Sequence, residues 1–209
     1  MMGMIKKDLL MVKNNFKTFL ISLALFVMYT VLFDIDMTFF LPFMTFMICM
    51  STLNYDDFNH WHAYAISLPQ GRVNVVKSKY VVTTVLTILM TVVGVLFSLG
   101  ISYYKGTMNL EESISSAVGV LFAVLLLMSI LYPILFKFGA EKGRMAMGII
   151  GLSALGITIL FTKLVHIEIS ESIITFLENY LPVLFILASI LMLSISYVIS
   201  KKIYAKKEF

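Results

Sequence analysis

His60 and His62 stand on either side of Trp61, the only tryptophan in the chain. Paired imidazoles are a common start to a metal site. Two positions apart on a helix, however, they project from different faces, and no third ligand accompanies them, so a metal centre is not expected. Cys49 is the only cysteine, which excludes an intrachain disulfide and a cysteine-based metal cluster; in its apolar run it reads as a small buried hydrophobe. Nucleotide chemistry needs a phosphate-cradling loop of the form G-x-x-x-x-G-K-[ST]. Gly139 and Gly143 are followed by Arg144 with the wrong spacing. If nucleotide drives this protein, another chain binds it.

Glu111-Glu112 resembles the paired glutamates of prenyl-dependent membrane proteases, but Ser116 stands where that motif has Arg. The pair falls in a polar loop, where solvation accounts for it. With no nucleophile–base pair and no metal set, the chain is not expected to be an enzyme.

The elements around these residues are dictated by lipid. Of 209 residues, 60% are hydrophobic and only 13% charged, and the mean hydropathy is +0.95. Such a composition lies outside the soluble globular range. The expected fold is an all-α integral membrane protein with six transmembrane helices, as one transmembrane domain over 1–209. Spans are expected at about 18–33, 37–53, 80–104, 113–136, 145–162 and 180–200, each near the length that crosses a bilayer core. None of them contains Asp, Glu, Lys, Arg or His, which argues against proton relays, voltage sensing and much ion-coupled transport. Residues 4–17 place Ile5, Leu9, Val12 and Phe16 on one face, with Lys6, Lys13 and Lys17 elsewhere; this fits an interfacial helix on an anionic leaflet. No small-residue cleavage site follows residue 33, so this segment is expected to be retained. A short surface or re-entrant helix is expected within 163–179.

The polar stretch 54–72 interrupts these spans. Asn54 or Asp56 can cap a helix whose first turn would hold the acidic pair Asp56-Asp57. Phe58, Trp61, Ala65 and Leu68 recur at i, i+3, i+7 and i+10, one apolar stripe on one face. Pro69 and Gly71 stop the helix. A short amphipathic helix over about 56–68 is therefore expected, followed by Arg72, Lys77 and Lys79. A helix this short needs something to pack on, either the bilayer surface or another protein.

Orientation follows from charge. The amino end, the loops after spans two and four, and the carboxyl end hold 14 of the 16 basic residues; the opposite side keeps Lys105 and Lys163 beside seven acids. The positive-inside rule then puts both termini and the Trp61 segment in the cytoplasm. The net charge of +4 is a topology signal of this kind and not evidence for nucleic acid. Met37, Met44, Met47 and Met50 fall on one broad face of span two. Adaptable thioethers suit a cargo path at Met44, Met47 and Met50, although ordinary lipid or helix contact explains them more simply.

The stretch 54–80 resembles the ABC-2-type permeases, the membrane subunits of bacterial ATP-driven ABC exporters. One branch carries an acidic pair, Trp, Tyr, a Ser-Leu-Pro end, an Arg and a Lys-Tyr. Here these are Asp56-Asp57, Trp61, Tyr64, Ser67-Leu68-Pro69, Arg72 and Lys79-Tyr80; Asp57 departs from the Glu of many relatives. In size the chain is similar to permeases of phenol-soluble modulin exporters. The resemblance implies a cytoplasmic coupling helix between spans two and three, contacting a separate ATPase through Asp56, Asp57, Phe58, Trp61, Tyr64, Leu68 and Arg72. It implies ATP and Mg in that ATPase and no cofactor in this chain. It also implies a second permease copy, identical or a sister, in the bacterial cell membrane, and a hydrophobic or amphipathic cargo, peptide among the candidates. Two alternatives stay open: Trp61 as a lipid anchor in a partner-free channel or scaffold, and Arg72, Lys77 and Lys79 as phospholipid contacts.

Overall fold

The computed structural model describes residues 2–33, 38–68, 71–106, 110–139, 142–143, 145–153, 156 and 171–207. Seven helices are delimited among them: α1 (Met2–Asn14), α2 (Phe16–Phe33), α3 (Phe40–Phe58), α4 (Trp61–Ser67), α5 (Gly71–Lys105), α6 (Leu110–Phe138) and α7 (Glu171–Lys206). A further helical stretch covers 145–153. Every regular element among the described residues is helical, as backbone in lipid requires when its polar groups must be satisfied internally.

Three of these helices are long and apolar enough to cross a membrane: Gly71–Tyr104, Ser113–Phe138 and Tyr180–Lys206. Met2–Asn14 with Lys17–Met28 makes a fourth if taken as one span bent by 53°. The chain is thus a helical membrane protein. Residues 163–170 of the expected re-entrant segment, and part of the fifth expected span, lie outside the described residues. Residues 171–179 are helical and run without a break into α7.

The helices overrun the expected spans. At 35 residues and 1.5 Å per residue, α5 is about 50 Å long, well beyond a hydrocarbon core of about 30 Å. Its surplus is the polar first turns carrying Arg72, Lys77 and Lys79. The break after α1 falls at Asn15, whose side-chain amide donates back to the Met11 carbonyl at 3.0 Å and competes with the helical ladder there. Pro133 sits inside α6 and Pro182 near the start of the crossing part of α7.

Packing centres on α5, which touches α1, α3, α4, α6 and α7, while α6 lies along α7. The buried core gathers Phe46, Met50 and Leu53 of α3, Val75, Val76 and Tyr80 of α5, Met128, Leu131 and Tyr132 of α6, and Tyr204 of α7. These are the halves of the helices nearest the two termini. Hydroxyls replace the hydrophobic effect as glue between helices in lipid. The Tyr80 hydroxyl pairs with Ser196 Oγ at 2.6 Å and Ser200 Oγ at 2.8 Å, and Ser196 donates to the Ser129 carbonyl at 2.7 Å.

Candidate functional site

The expected helix over 56–68 is two elements. Helical backbone continues through Asp56 and Asp57 to Phe58, and Asn59 closes it with its N–H and side-chain amide both on the Tyr55 carbonyl. His60 then takes a left-handed conformation, φ +52°, and the chain re-enters helix as α4. The acidic pair therefore sits in the last turn of α3, not the first turn of a coupling helix, and neither Asn54 nor Asp56 caps α4. The apolar stripe breaks at the same place. Phe58 is 83% exposed while Ala65 is fully buried, because the turn at His60 swings the two halves apart.

Carboxylates at a helix C-terminus oppose its dipole, so they need partners, and three elements supply them. Asp56 is fully buried. Its Oδ1 takes Lys7 Nζ of α1 at 2.5 Å, and its Oδ2 has Lys79 Nζ of α5 at 2.7 Å, a close ionic contact bent out of hydrogen-bond alignment. Lys79 also donates to Asp8 Oδ1 at 2.7 Å and to Thr52 Oγ1 at 2.8 Å, and Lys7 lies 3.3 Å from Asp8. Two lysines and two aspartates thus form a neutral quartet joining α1, α3 and α5, buried except for the partly exposed Lys7. Neutrality is what makes it tolerable, since an uncompensated buried charge is strongly destabilising. Lys79 is consequently a structural cation and not a phospholipid contact. Lys77, two residues earlier, is the exposed one. The buried side of α1 is Met4 and Asp8, while Leu9, expected on its apolar face, is exposed.

Asp57 has a different partner. His62 of α4 places Nε2 at 2.9 Å from Asp57 Oδ1 and Nδ1 at 2.7 Å from the Tyr204 hydroxyl of α7. His62 is therefore engaged on both ring nitrogens, and His60, at the turn, is exposed. Among the described residues no three His, Cys, Asp or Glu are placed to hold a metal ion. Ala65 packs α4 onto the start of α5, where Gly71 permits the approach: a Cβ at Gly71 would lie 1.7 Å from the Ala65 carbonyl oxygen. Arg72 Nη1 donates to the Ala205 carbonyl, a cation on the negative end of α7.

What α4 leaves outside is aromatic. Phe58 is 83% exposed and Tyr64 57%. Trp61 is half-buried, with Tyr64 stacked at a tilt 5.0 Å away and Lys7 Nζ 4.6 Å above its ring. Leu68 is half-buried against the core. The hydrogen bonds and ion pairs place α1, α4, the start of α5 and the end of α7 at one end of the bundle. Gly139, after α6, joins them: a Cβ there would meet Asp57 Oδ2 at 3.6 Å.

Residues 3–205 match the ABC-2 family transporter protein. The chain belongs to that family. No curated protein and no solved structure matches it. As an ABC-2 permease it is a membrane transport component, and the match spans all seven helices. The suggested cargo path of the permease is less exposed than its sequence implies. Met50 is buried in the core, and Met44 and Met47 are half-buried. Cys49 is buried beside them.

Sequence reasoning missed Lys7, Asp8 and Tyr204, and read Gly71 as a helix stop without its close approach to Ala65. Asp8 carried a signal, as the only acid in the first 33 residues and set directly after Lys6-Lys7. Tyr204 carried none, since only the fold brings it to His62.

Proposed function

We propose that this permease is the membrane-spanning subunit of an ATP-driven exporter, with both termini cytoplasmic and a separate ATPase seated on the exposed aromatics of the α3–α4 corner. The observation that carries the reading is that Phe58 and Tyr64 project outward from a corner held by buried ion pairs. Large aromatics in water beside a rigid scaffold are the groups that anchor protein interfaces, and the lysine excess at this end supports a cytoplasmic orientation. Nucleotide-driven closure of two ATPases would push on this corner and tilt α3 and α5, alternating access across the membrane. A second permease, identical or a sister chain, would complete the path. A hydrophobic or amphipathic cargo, such as the modulin peptides of the resembled exporters, suits apolar stretches that carry no charged residue. ATP and Mg would be bound by the ATPase, with no catalytic role in this chain.

Phe58→Ala with Tyr64→Ala tests the reading. Co-purification of the ATPase from membranes is expected to fall to background while the permease still inserts. Undiminished recovery would overturn the assignment of the site. Export of cargo by the purified chain with no ATPase would favour a partner-free channel instead.

A further inference from the structure

The ABC-2 reading assigns the α3–α4 corner to the ATPase, while the spacing of apolar residues in the amino-terminal helix reads as an element lying on the lipid surface. The contacts around Lys7 say otherwise. Its ammonium lies 2.5 Å from Asp56 Oδ1 and 4.6 Å from the centre of the Trp61 ring. One α1 side chain thus touches the last turn of α3 and the first residue of α4, on either side of the turn at His60. The next residue, Asp8, is buried and holds Lys79 of α5. Consecutive side chains of α1 therefore grip the three helices that meet at the proposed docking corner.

We infer that Lys7 is a positioning residue for transport: it ties the α3–α4 corner to α1, so that displacement of the corner by the ATPase moves α1 together with α5, whose Lys79 both Asp56 and Asp8 hold. The geometry favours transmission over simple adhesion. A cation on an aromatic face holds its partner without directional hydrogen bonds and tolerates sliding, whereas the quartet resists separation because either half alone would leave buried charge unpaired. Asp8 Oδ2 has no hydrogen-bond partner in this arrangement, which leaves that carboxylate an acceptor still free to take Lys7 or Lys79 in a second arrangement. α4 can thus turn about Lys7 without letting go of it, while α1, α3 and α5, joined by the quartet, move as one.

This inference rests on the ATPase reading, and its test separates the two. Spin labels are placed at the exposed Lys13→Cys and Lys202→Cys in a Cys49→Ala background, with the permease in lipid nanodiscs and its ATPase bound. Distances are compared without nucleotide and with ATP on a hydrolysis-deficient ATPase. Wild type is expected to show an ATP-dependent change in distance, lost in Lys7→Gln and restored in Lys7→Arg. Trp61→Leu, which keeps the quartet whole, is expected to reduce the change at equal ATPase occupancy, and it decides the matter if Lys7→Gln fails to fold. An unaltered change in Lys7→Gln or Trp61→Leu, or no change in wild type with ATPase bound, overturns the role of Lys7. Failure of any ATPase to bind wild type instead overturns the underlying reading.

Discussion

The two ends of this bundle are held together by different physics. At the terminus-bearing end, side chains are specified one by one: Asp56, Asp8 and Lys79 are buried and mutually paired, Ala65 is fully buried against α5, and His62 bridges Asp57 and Tyr204. Toward the other end, α5 exposes Leu96, Phe97 and Tyr104, the last at 91%, and α7 exposes Val183, Leu184 and Leu187. In water such a surface would be an aggregation hazard. In lipid it has no hydrophobic reason to pack, and helix pairing there depends on shape and polar contacts. The lesson is that rigidity is concentrated where a soluble partner would push, while the far end is left to lipid or to another permease.

That contrast can be broken first at the quartet. Lys79→Met leaves Asp8 and Asp56 short of a counter-charge, and loss of one partner of a buried pair costs about 3–5 kcal/mol. The expected result is collapse of the thermal midpoint in detergent and poor recovery from membranes. An unshifted midpoint would show that water or Lys7 already compensates the pair. Next, Gly71→Ala places a Cβ against the Ala65 carbonyl, an overpacking of about 1–3 kcal/mol. Hydrogen exchange in 61–67 should accelerate while α6 and α7 keep their protection, since only the α4 seat is disturbed. The smallest effect belongs to the far end: Leu187→Ala should cost below about 0.5 kcal/mol, as surface substitutions do. A larger loss, measured by the same melt, would mean that a second permease covers that face.

Much of the fold was legible in composition, because lipid imposes helices. The α5, α6 and α7 crossings lie where apolar runs put them, and the polar interruption with its single Trp marked the corner. The corner's internal layout was not legible. Helical periodicity from Phe58 to Leu68 reads the same whether or not one residue turns left-handed, and His60 is not an obvious breaker. Nor does a lysine beside a span announce its partner: Lys77 and Lys79 look alike in sequence, yet one is exposed and the other is paired with acids 71 and 23 residues distant. Long-range ion pairing is a property of the fold and leaves no local pattern.

The central claim is that the aromatic corner meets a separate ATPase. Its most direct test replaces Phe58, and in a parallel preparation Leu187, by a photoreactive benzophenone amino acid in native membranes, followed by irradiation and mass spectrometry. The account predicts a crosslink from position 58 to an ATP-binding subunit and none to that subunit from position 187. Crosslinks from position 58 to lipid alone, with the ATPase present in the same membranes, would contradict it.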